Sequence, residues 1–286
     1  MENLNEWFKG ALRERFAIGH FNVSNLEAVK GIVEAAKAVR APVIIGVSEG
    51  EREFFGVPQI VAVVRAFREE SGLPIFLNAD HTKSFEKVKE AVDAGFDSVH
   101  FDGSELPYEK NVEATRRAVE YVRSTRPGIS VEGELGYLRG SSKVQEVVEI
   151  KAEDMTDPDE AWDFVQRTGV DRLAPVFGNI HGIVTKQEEK LDIGRLKRIR
   201  EKTDAFLVLH GASGLSEEDI RAAIEAGIVK VHINTELRVA YRSTLEKTLK
   251  AMPKETTPYK YLEPEVESVA KVVEEKIRLF GSAGRA

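Results

Sequence analysis

The chain has 286 residues, of which 42% are hydrophobic and 31% charged, and it contains no cysteine. This composition suits one large α/β domain or two small ones, and the missing thiols exclude disulfides, thiolate metal sites and cysteine nucleophiles. A formal net charge of −7 argues against a nucleic-acid-binding surface. Because we find neither an apolar stretch of roughly 18 residues nor a signal segment, we expect a cytoplasmic protein that binds neither membrane nor nucleic acid.

Strand and helix patterns alternate along the whole sequence. An amphipathic helix is predicted over residues 4–15, and a final helix over residues 263–279. Between them, eight apolar strands are predicted at residues 16–23, 42–48, 75–80, 97–104, 129–136, 171–178, 205–213 and 228–235. Helices are predicted at residues 25–40, 57–70, 84–94, 108–124, 157–169, 193–203, 216–227 and 235–252. Residues 137–157 are polar and read as an irregular connection.

The predicted strands are near-continuous apolar runs, which is typical of parallel strands that are covered on both faces. The simplest architecture is a (β/α)8 TIM barrel that forms a single domain over residues 1–286, with an N-terminal helix and an extra C-terminal helix. A doubly wound sheet is the alternative, but the first strand is not followed by the glycine-rich dinucleotide-binding fingerprint.

Three predicted strands lead into histidines, namely His81, His181 and His210. In a barrel the carboxyl ends of the strands share one face, where active sites lie. Three imidazoles there could form a metal site with an open position, which suits zinc and can also hold cobalt or manganese. A single histidine at a strand end is more often structural, but three at corresponding places, each beside glycine or aspartate, favour ligands.

Carboxylates accompany these histidines. Asp80 directly precedes His81 and is the best candidate for general acid–base catalysis. Asp102 and Glu134 could add an oxygen ligand or hold a second metal position. Glu132 lies on the same strand face as Glu134, so in a central barrel strand both acids need partners. His20 and His100 lie within strands, and we interpret both as structural.

Glycine-containing turns near helix N-termini indicate a phosphate site, because their backbone N–H groups bind anions. Barrels often bind phosphate after the last two strands. Small residues also occur in turns that bind nothing. Together with the polar ends of the first, second and eighth strands, these turns give the predicted substrate-binding residues Asn22, Ser48, Gly182, Gly211, Ala212, Ser213, His232, Asn234 and Thr235.

Several motifs occur in a fixed order along the chain: FNVSNLEA, the Asp80–His81 pair, SVHFDGSELPYEKNV, SVEGELG, the His181–Gly182 pair, LVLHGASG, KVHINTEL and the terminal GSAGRA. With these motifs, nearly the whole chain resembles the class II, metal-dependent fructose-bisphosphate and tagatose-bisphosphate aldolases.

The resemblance implies a zinc-dependent TIM barrel that cleaves a ketose bisphosphate into glycerone phosphate and an aldehyde. It implies a homodimer or homotetramer with a role in carbohydrate metabolism. It assigns the catalytic zinc ligands to His81, His181 and His210, and the proton transfer at the C4 hydroxyl to Asp80. The residues near a second or displaced metal would be Asp102 and Glu134, and the glycerone phosphate half would lie against Gly182, Gly211–Ser213 and residues 232–235.

The chain departs from the family pattern at three places. His232 stands where the family usually has asparagine, Ser142 where it has a loop acid, and Tyr259 where it has an arginine for the distal phosphate. Three functions therefore stay open. The first is a fructose-bisphosphate aldolase, favoured over a tagatose-bisphosphate aldolase. The second is a metal-dependent aldolase or epimerase acting on another sugar or sugar phosphate, and the third is a barrel without turnover that serves as a binding or assembly module.

Overall fold

Eight parallel strands close into a barrel in the computed structural model, which describes residues 3–286. Residues 1 and 2 of the predicted domain therefore lie outside the residues that the structure describes. In chain order the strands are β1 (Ile18–Asn22), β2 (Val43–Val47), β3 (Ile75–Thr82), β4 (Ser98–Phe101), β5 (Ser130–Leu135), β6 (Gly140–Gln145), β7 (Arg172–Pro175), β8 (His181–Val184), β9 (Phe206–Leu209) and β10 (Ile228–Ile233). Strands β6 and β8 form a separate two-stranded parallel sheet, and the other eight form the barrel in the order β1-β10-β9-β7-β5-β4-β3-β2.

Helices cover the barrel, as expected for a sheet whose strands are buried on both faces. Over residues 3–286 they are α1 (Leu4–Glu14), α2 (Leu26–Val39), α3 (Glu49–Phe55), α4 (Val57–Ser71), α5 (Phe85–Ala94), α6 (Tyr108–Thr125), α7 (Pro158–Thr168), α8 (Ile193–Lys202), α9 (Glu217–Glu225), α10 (Thr235–Ala251) and α11 (Pro258–Leu279). None of these helices is both long and apolar enough to span a membrane. The predicted (β/α)8 barrel with an additional helix at each end is confirmed.

Helix α3 and the two strands of the small sheet, β6 and β8, were not predicted from the sequence. Helix α3 has only seven residues and begins with a capping box between Ser48 and Glu51. Strand β6 is largely exposed and polar, so it carries no apolar strand pattern. It forms because it pairs with β8, about 40 residues further along the chain, with Gly140 in register with His181. The sequence predicted an irregular connection over residues 137–157, but part of this segment forms strand β6.

The barrel interior changes from apolar to polar along the strand direction. At the amino ends of the strands, Ile18, Ile44 and Phe76 pack against Leu4 and Phe8 of α1. This contact buries one face of α1 and fills the lower end of the barrel.

Further up the barrel the inward-facing side chains are polar or charged and fully buried. They include His20, Asn78, Ser98, Arg172 and Lys230. Apolar packing at one end therefore supports a polar interior that leads to the carboxyl ends of the strands.

Gly46 leaves the space that the His20 ring occupies. A Cβ atom at position 46 would lie 2.0 Å from His20 Cε1, and His20 is fully buried and cannot move aside freely. We expect Gly46→Ala to lower the free energy of unfolding by about 1–3 kcal/mol through overpacking. Denaturant unfolding measures the change. Gly10→Ala in α1 is the control, because the added Cβ would meet no atom within 4 Å apart from its chain neighbours and the backbone of its own helix. Equal stabilities for the two variants would contradict the prediction.

Candidate metal centre and active site

A cleft of about 520 Å³ opens at the carboxyl ends of the barrel strands. It is lined by most of the residues that the sequence predicted: Asn22, Ser48, Asp80, His81, His181, Gly182, His210, Gly211, Ser213, His232, Asn234 and Thr235. The side chain of Ala212 is buried in the hydrophobic core instead. Two further residues line the cleft, Ser142 and Arg238. Ser142 stood out in the sequence only as a departure from the family pattern, and Arg238 did not stand out there.

The three predicted histidine ligands come together in this cleft. The ring centroids of His181 and His210 both lie 5.0 Å from that of His81, and 6.5 Å from each other. Ligand bonds of about 2 Å to a tetrahedral zinc would place imidazole centroids roughly 5 Å apart. His81 has a φ of 42°, a left-handed conformation that is uncommon for a residue with a side chain.

Several buried atoms around the cleft lack hydrogen-bond partners among the described residues. They include Nδ1 of His210 and Oδ1 of Asp80. Buried polar atoms are normally paired, so each such atom needs an explanation. A divalent cation would bind nitrogen and oxygen atoms of this kind, and the donor set fits zinc, cobalt or manganese. The residues present therefore fit a divalent metal.

Some side chains lie close enough together to bind one metal ion, and the sequence predicted only part of these groups. One ligand atom each from Asp80, His81, His100 and His210 lies within 4.8 Å of the others. A second such group comprises one atom each from the side chains of His81, Asp102 and Glu134. His181 belongs to neither group and approaches the centre through its ring contact with His81.

Glu132 determines how the His210 ring is oriented. Its Oε1 atom lies 2.7 Å from His210 Nε2, so Nδ1 is the nitrogen left for a metal. Its Oε2 atom accepts hydrogen bonds from Arg172 Nε at 2.8 Å and Lys230 Nζ at 2.7 Å. Burial raises the pKa of Glu132, but the charges of Lys230 and Arg172 outweigh it and hold that pKa well below its usual range. An ionised carboxylate thus fixes the histidine, as second partners of metal ligands commonly do.

Asp102 and Glu134 lie beside His81 rather than on the cleft surface. Oδ2 of Asp102 is 2.9 Å from His81 Nδ1, and Oε2 of Glu134 is 3.8 Å from the same nitrogen. At 2.9 Å, Asp102 makes a hydrogen bond that orients the imidazole. Their predicted roles near a metal stay predictions, since the two acids also lie close enough together with His81 to hold an ion.

His100 contributes more than the structural role that the sequence suggested. The ring is fully buried, with Nε2 3.1 Å from Glu134 Oε2 and Nδ1 3.6 Å from Asp80 Oδ1. Burial lowers the pKa of His100, but Asp80, Glu132 and Glu134 together raise it to about 10. The sequence did contain a sign of this role. Side chains alternate along a strand, so His100 and Asp102, which are two residues apart, face the same side.

His20 and His232 form a stack with His210. The His20 and His232 rings are 3.7 Å apart, and the His232 and His210 rings are also 3.7 Å apart. Burial and the neighbouring imidazoles and Lys230 hold the pKa values of His20 and His232 well below their usual range. His232 thus lines the cleft as a neutral ring packed directly against a predicted metal ligand.

Asp80 lies at the inner edge of the cleft and is almost fully buried. Its Oδ2 atom accepts a hydrogen bond of 3.1 Å from Asn22 Nδ2. Burial raises the pKa of Asp80, but His81, His232 and His20 outweigh it and hold that pKa well below its usual range. The carboxylate is therefore ionised and able to accept a proton from a group in the cleft.

Two glycines beside His181 and His210 allow close backbone contacts. Gly211 has a φ of 68°, and a Cβ atom there would lie 1.9 Å from the carbonyl oxygen of Ile180. Gly182 has a φ of 102°, and its Cβ would lie 2.3 Å from the carbonyl oxygen of Ser141. Glycine is thus required at both positions by close backbone contacts, whether or not their N–H groups also bind phosphate.

The comparisons with known proteins cover essentially the whole chain. The family "Fructose-bisphosphate aldolase class-II" matches residues 2–285. The chain is 38% identical over 287 residues to the fructose-bisphosphate aldolase of Geobacillus stearothermophilus, covering 99% of this chain and 98% of that one. It is also 38% identical over 289 residues to the fructose-bisphosphate aldolase of Staphylococcus aureus, with coverage of 99% and 98%. The crystal structure of the YdjI aldolase from Escherichia coli K12 superposes with a TM-score of 0.83 at 33% identity, over 100% of this chain and 99% of that one.

The hydrogen bond that His81 Nδ1 donates to Asp102 gives a test of the metal centre. We expect Asp102→Ala to lower the affinity for Zn²⁺ about 10- to 100-fold, because His81 loses the partner that orients its ring. Competition with a fluorescent chelator measures the affinity. Asp93→Ala is the control, since that carboxylate bonds to Lys89 and Tyr121 on the surface. An Asp102→Ala protein that binds zinc as tightly as the control would refute this role.

Proposed function

The chain belongs to the class II fructose-bisphosphate aldolase family, and we propose that it reversibly cleaves fructose 1,6-bisphosphate into glycerone phosphate and glyceraldehyde 3-phosphate. This lyase reaction is a step of glycolysis. The observation that carries the proposal is the placement of three imidazoles and the ionised Asp80 in one cleft at the carboxyl ends of the barrel strands. Class II aldolases are metal-dependent and act on phosphorylated sugars, which fits this donor set.

Cleavage breaks the C3–C4 bond of the ketose as the C4 hydroxyl loses its proton and becomes the aldehyde. We assign that proton to Asp80, which accepts it during cleavage and returns it to the aldehyde oxygen during condensation. The hydrogen bond from Asn22 holds the Asp80 carboxylate in place for both directions.

The electron pair of the broken bond stays on the glycerone phosphate half as an ene-diolate. A divalent cation, when bound, supplies the positive charge that stabilises this electron-rich species. His81, His181 and His210 would hold that cation. Glu132 holds the His210 ring through a hydrogen bond of 2.7 Å, and the Asp102 carboxylate holds His81 at 2.9 Å. The chain thus keeps two of the three rings fixed by carboxylates.

We assign the phosphate of the glycerone phosphate half to the backbone of Gly182, Gly211–Ser213 and Asn234–Thr235. The Asn234 side chain does not cap helix α10, and the Glu236 N–H at its start donates only a long hydrogen bond of 3.4 Å to Ser213 Oγ. The first turn of the helix can therefore meet an anion. Asn22, Ser48 and His232 line the remaining wall and contact the carbon chain.

Ser142 also lines the cleft, at the position where the family carries a loop acid. Of the nearby loop acids, Glu146 forms an ion pair of 2.9 Å with Lys186. Neither Glu146 nor Glu149 lines the cleft.

We further propose zinc as the physiological cation, with cobalt and manganese as alternatives, because imidazole nitrogen suits all three. The match to the family over residues 2–285 supports one catalytic domain for the whole chain. Assembly into a homodimer or homotetramer and a cytoplasmic location rest on the resemblance to the family.

A different ketose is the second candidate substrate. It is favoured by the imidazole of His232 in the cleft and by Ser142 at the loop position. Tagatose 1,6-bisphosphate, which differs from the fructose compound at one stereocentre, is the first alternative, and a further sugar phosphate is the next.

Metal removal tests the proposed reaction directly. We expect the zinc-loaded protein to cleave fructose 1,6-bisphosphate and to lose that activity after dialysis against a chelator, because the ene-diolate then lacks its cation. Coupled assays that detect glycerone phosphate measure the rate, and added Zn²⁺ should restore it. Cleavage that is indifferent to chelation, or no cleavage at all, would exclude the proposal. Faster cleavage of tagatose 1,6-bisphosphate would favour the alternative.

Asp80→Ala tests the acid–base assignment. We expect kcat to fall at least about 100-fold, since the C4 hydroxyl loses its proton acceptor. Zinc content, measured by mass spectrometry, should stay near that of the wild type if Asp80 acts on the substrate. Asp93→Ala on the surface of α5 is the matched control. A kcat within a fewfold of the control value would rule out Asp80 as the base.

A further inference from the structure

Strand β6 bulges where it passes Gly182 of β8. The paired positions on either side of the bulge are Gly140 with His181 and Val144 with Ile183. Between these positions, residues 141–143 of β6 face the single residue Gly182. A bulge bends its strand and can direct a side chain towards an active site. Here the bulge carries Ser142, which lines the active-site cleft.

The bulged strand lies tightly against the backbone of His181 and Gly182. A Cβ atom on Gly182 would lie 2.3 Å from the carbonyl oxygen of Ser141. A Cβ atom on Gly140 would lie 2.3 Å from the carbonyl oxygen of His181. The backbone N–H of His181 donates a hydrogen bond of 2.7 Å to the carbonyl oxygen of Arg139. The main chain of a predicted metal ligand is therefore in direct contact with β6 and the residue before it.

The side-chain amide of Gln145 closes this bulge. Its Nε2 atom donates one hydrogen bond of 2.8 Å to the carbonyl oxygen of His181 and another of 3.1 Å to the carbonyl oxygen of Ser141. A primary amide has two N–H donors, so both are used at the bulge. Because a bulge interrupts the ladder of backbone hydrogen bonds, the Gln145 side chain joins the two strands at the place where the ladder is broken.

His181 is held differently from the other two predicted metal ligands. The His210 ring is oriented by Glu132. The His81 ring is oriented by Asp102. Within residues 3–286, the hydrogen bonds of His181 are made by its backbone N–H group and its carbonyl oxygen. The position of its ring therefore depends on how firmly this backbone segment is fixed.

We propose that Gln145 is a positioning residue for the metal ligand His181. The proposal deepens the proposed function and rests on it, because it takes His181 as a ligand. Gln145 fixes the carbonyl group of His181 against β6 and thereby restricts the direction in which the same residue presents its imidazole. Groups that orient a metal ligand typically raise metal affinity about 10- to 100-fold. Gln145 provides this orientation through the backbone, whereas Glu132 and Asp102 provide it through the rings.

Two substitutions of Gln145 test the assignment. Gln145→Glu keeps the shape of the side chain but places a carboxylate oxygen against two carbonyl oxygens. Its affinity for Zn²⁺, measured by competition with a fluorescent chelator, should fall about 10- to 100-fold. Gln145→Met removes both donors without adding a charge, and it should lower the affinity about 10-fold. Wild-type affinity in both variants overturns the proposal.

Gln187→Glu is the matched control, since it makes the same substitution in the loop that follows β8. Gln187 Oε1 accepts a hydrogen bond of 2.9 Å from the backbone N–H of Val148. A carboxylate oxygen can accept the same bond, so this variant should bind Zn²⁺ as tightly as the wild type. A loss as large as that of Gln145→Glu would be an effect of the added charge alone and would count against the proposal.

A double-mutant cycle separates an effect through His181 from a general structural effect. His181→Ala should lower the affinity for Zn²⁺, because one ligand is lost. If Gln145 acts through His181, adding Gln145→Glu to that variant should cause no further loss. Two losses that multiply in the double variant would show that Gln145 acts independently of His181, and the proposal is then overturned.

These affinities are measured without substrate, so they do not depend on the proposed reaction. If the coupled losses are found in a protein that cleaves neither ketose, the proposed reaction fails and the assignment of Gln145 stands. If His181→Ala binds Zn²⁺ as tightly as the wild type, His181 is not a ligand and the assignment of Gln145 is overturned. Cleavage that a chelator abolishes would still support the proposed reaction in that case.

Discussion

The contact on which the site depends most is the buried network of Glu132 with His210, Arg172 and Lys230. Three bonds of 2.7–2.8 Å satisfy one carboxylate in the middle of the barrel. Removing one partner of such a network leaves a buried charge uncompensated, which typically costs 3–5 kcal/mol. The network therefore links the stability of the barrel interior to the orientation of a predicted metal ligand. Burial lowers the pKa of Lys230 to about 8, and Glu132 opposes that shift.

The same design recurs around the cleft, where further predicted functional groups are held by buried polar partners. Asp102 orients His81, and Asn22 connects Asp80 to Glu51. Preorganised groups of this kind lower the barrier of a reaction, because they need no rearrangement as charge develops. The apolar packing of α1 stabilises the opposite end of the barrel, so the interior near the cleft can be polar. The apolar α1 packing and the predicted site thus lie at opposite ends of the barrel, and active sites at the carboxyl ends of the strands are usual for this architecture.

The sequence predicted the barrel and most of the cleft for a simple physical reason. Parallel strands are apolar runs, and residues just after their carboxyl ends must share one face, so His81, His181 and His210 could be placed together without coordinates. The missed features depend on contacts between distant segments. Strand β6 is polar and exists through pairing with β8. Arg238 looks like any surface residue of an amphipathic helix until the fold brings it to Glu51, 187 residues away in sequence.

The most direct measurement is a crystal structure of the zinc-loaded protein with data collected at the zinc absorption edge. The geometry predicts one anomalous peak about 2.0–2.1 Å from Nδ1 of His210 and from ring nitrogens of His81 and His181. An ion that bound to Nε2 of His210 would require Glu132 to release the ring. A peak in that position, or one held only by carboxylates away from the three histidines, would contradict the proposed metal centre.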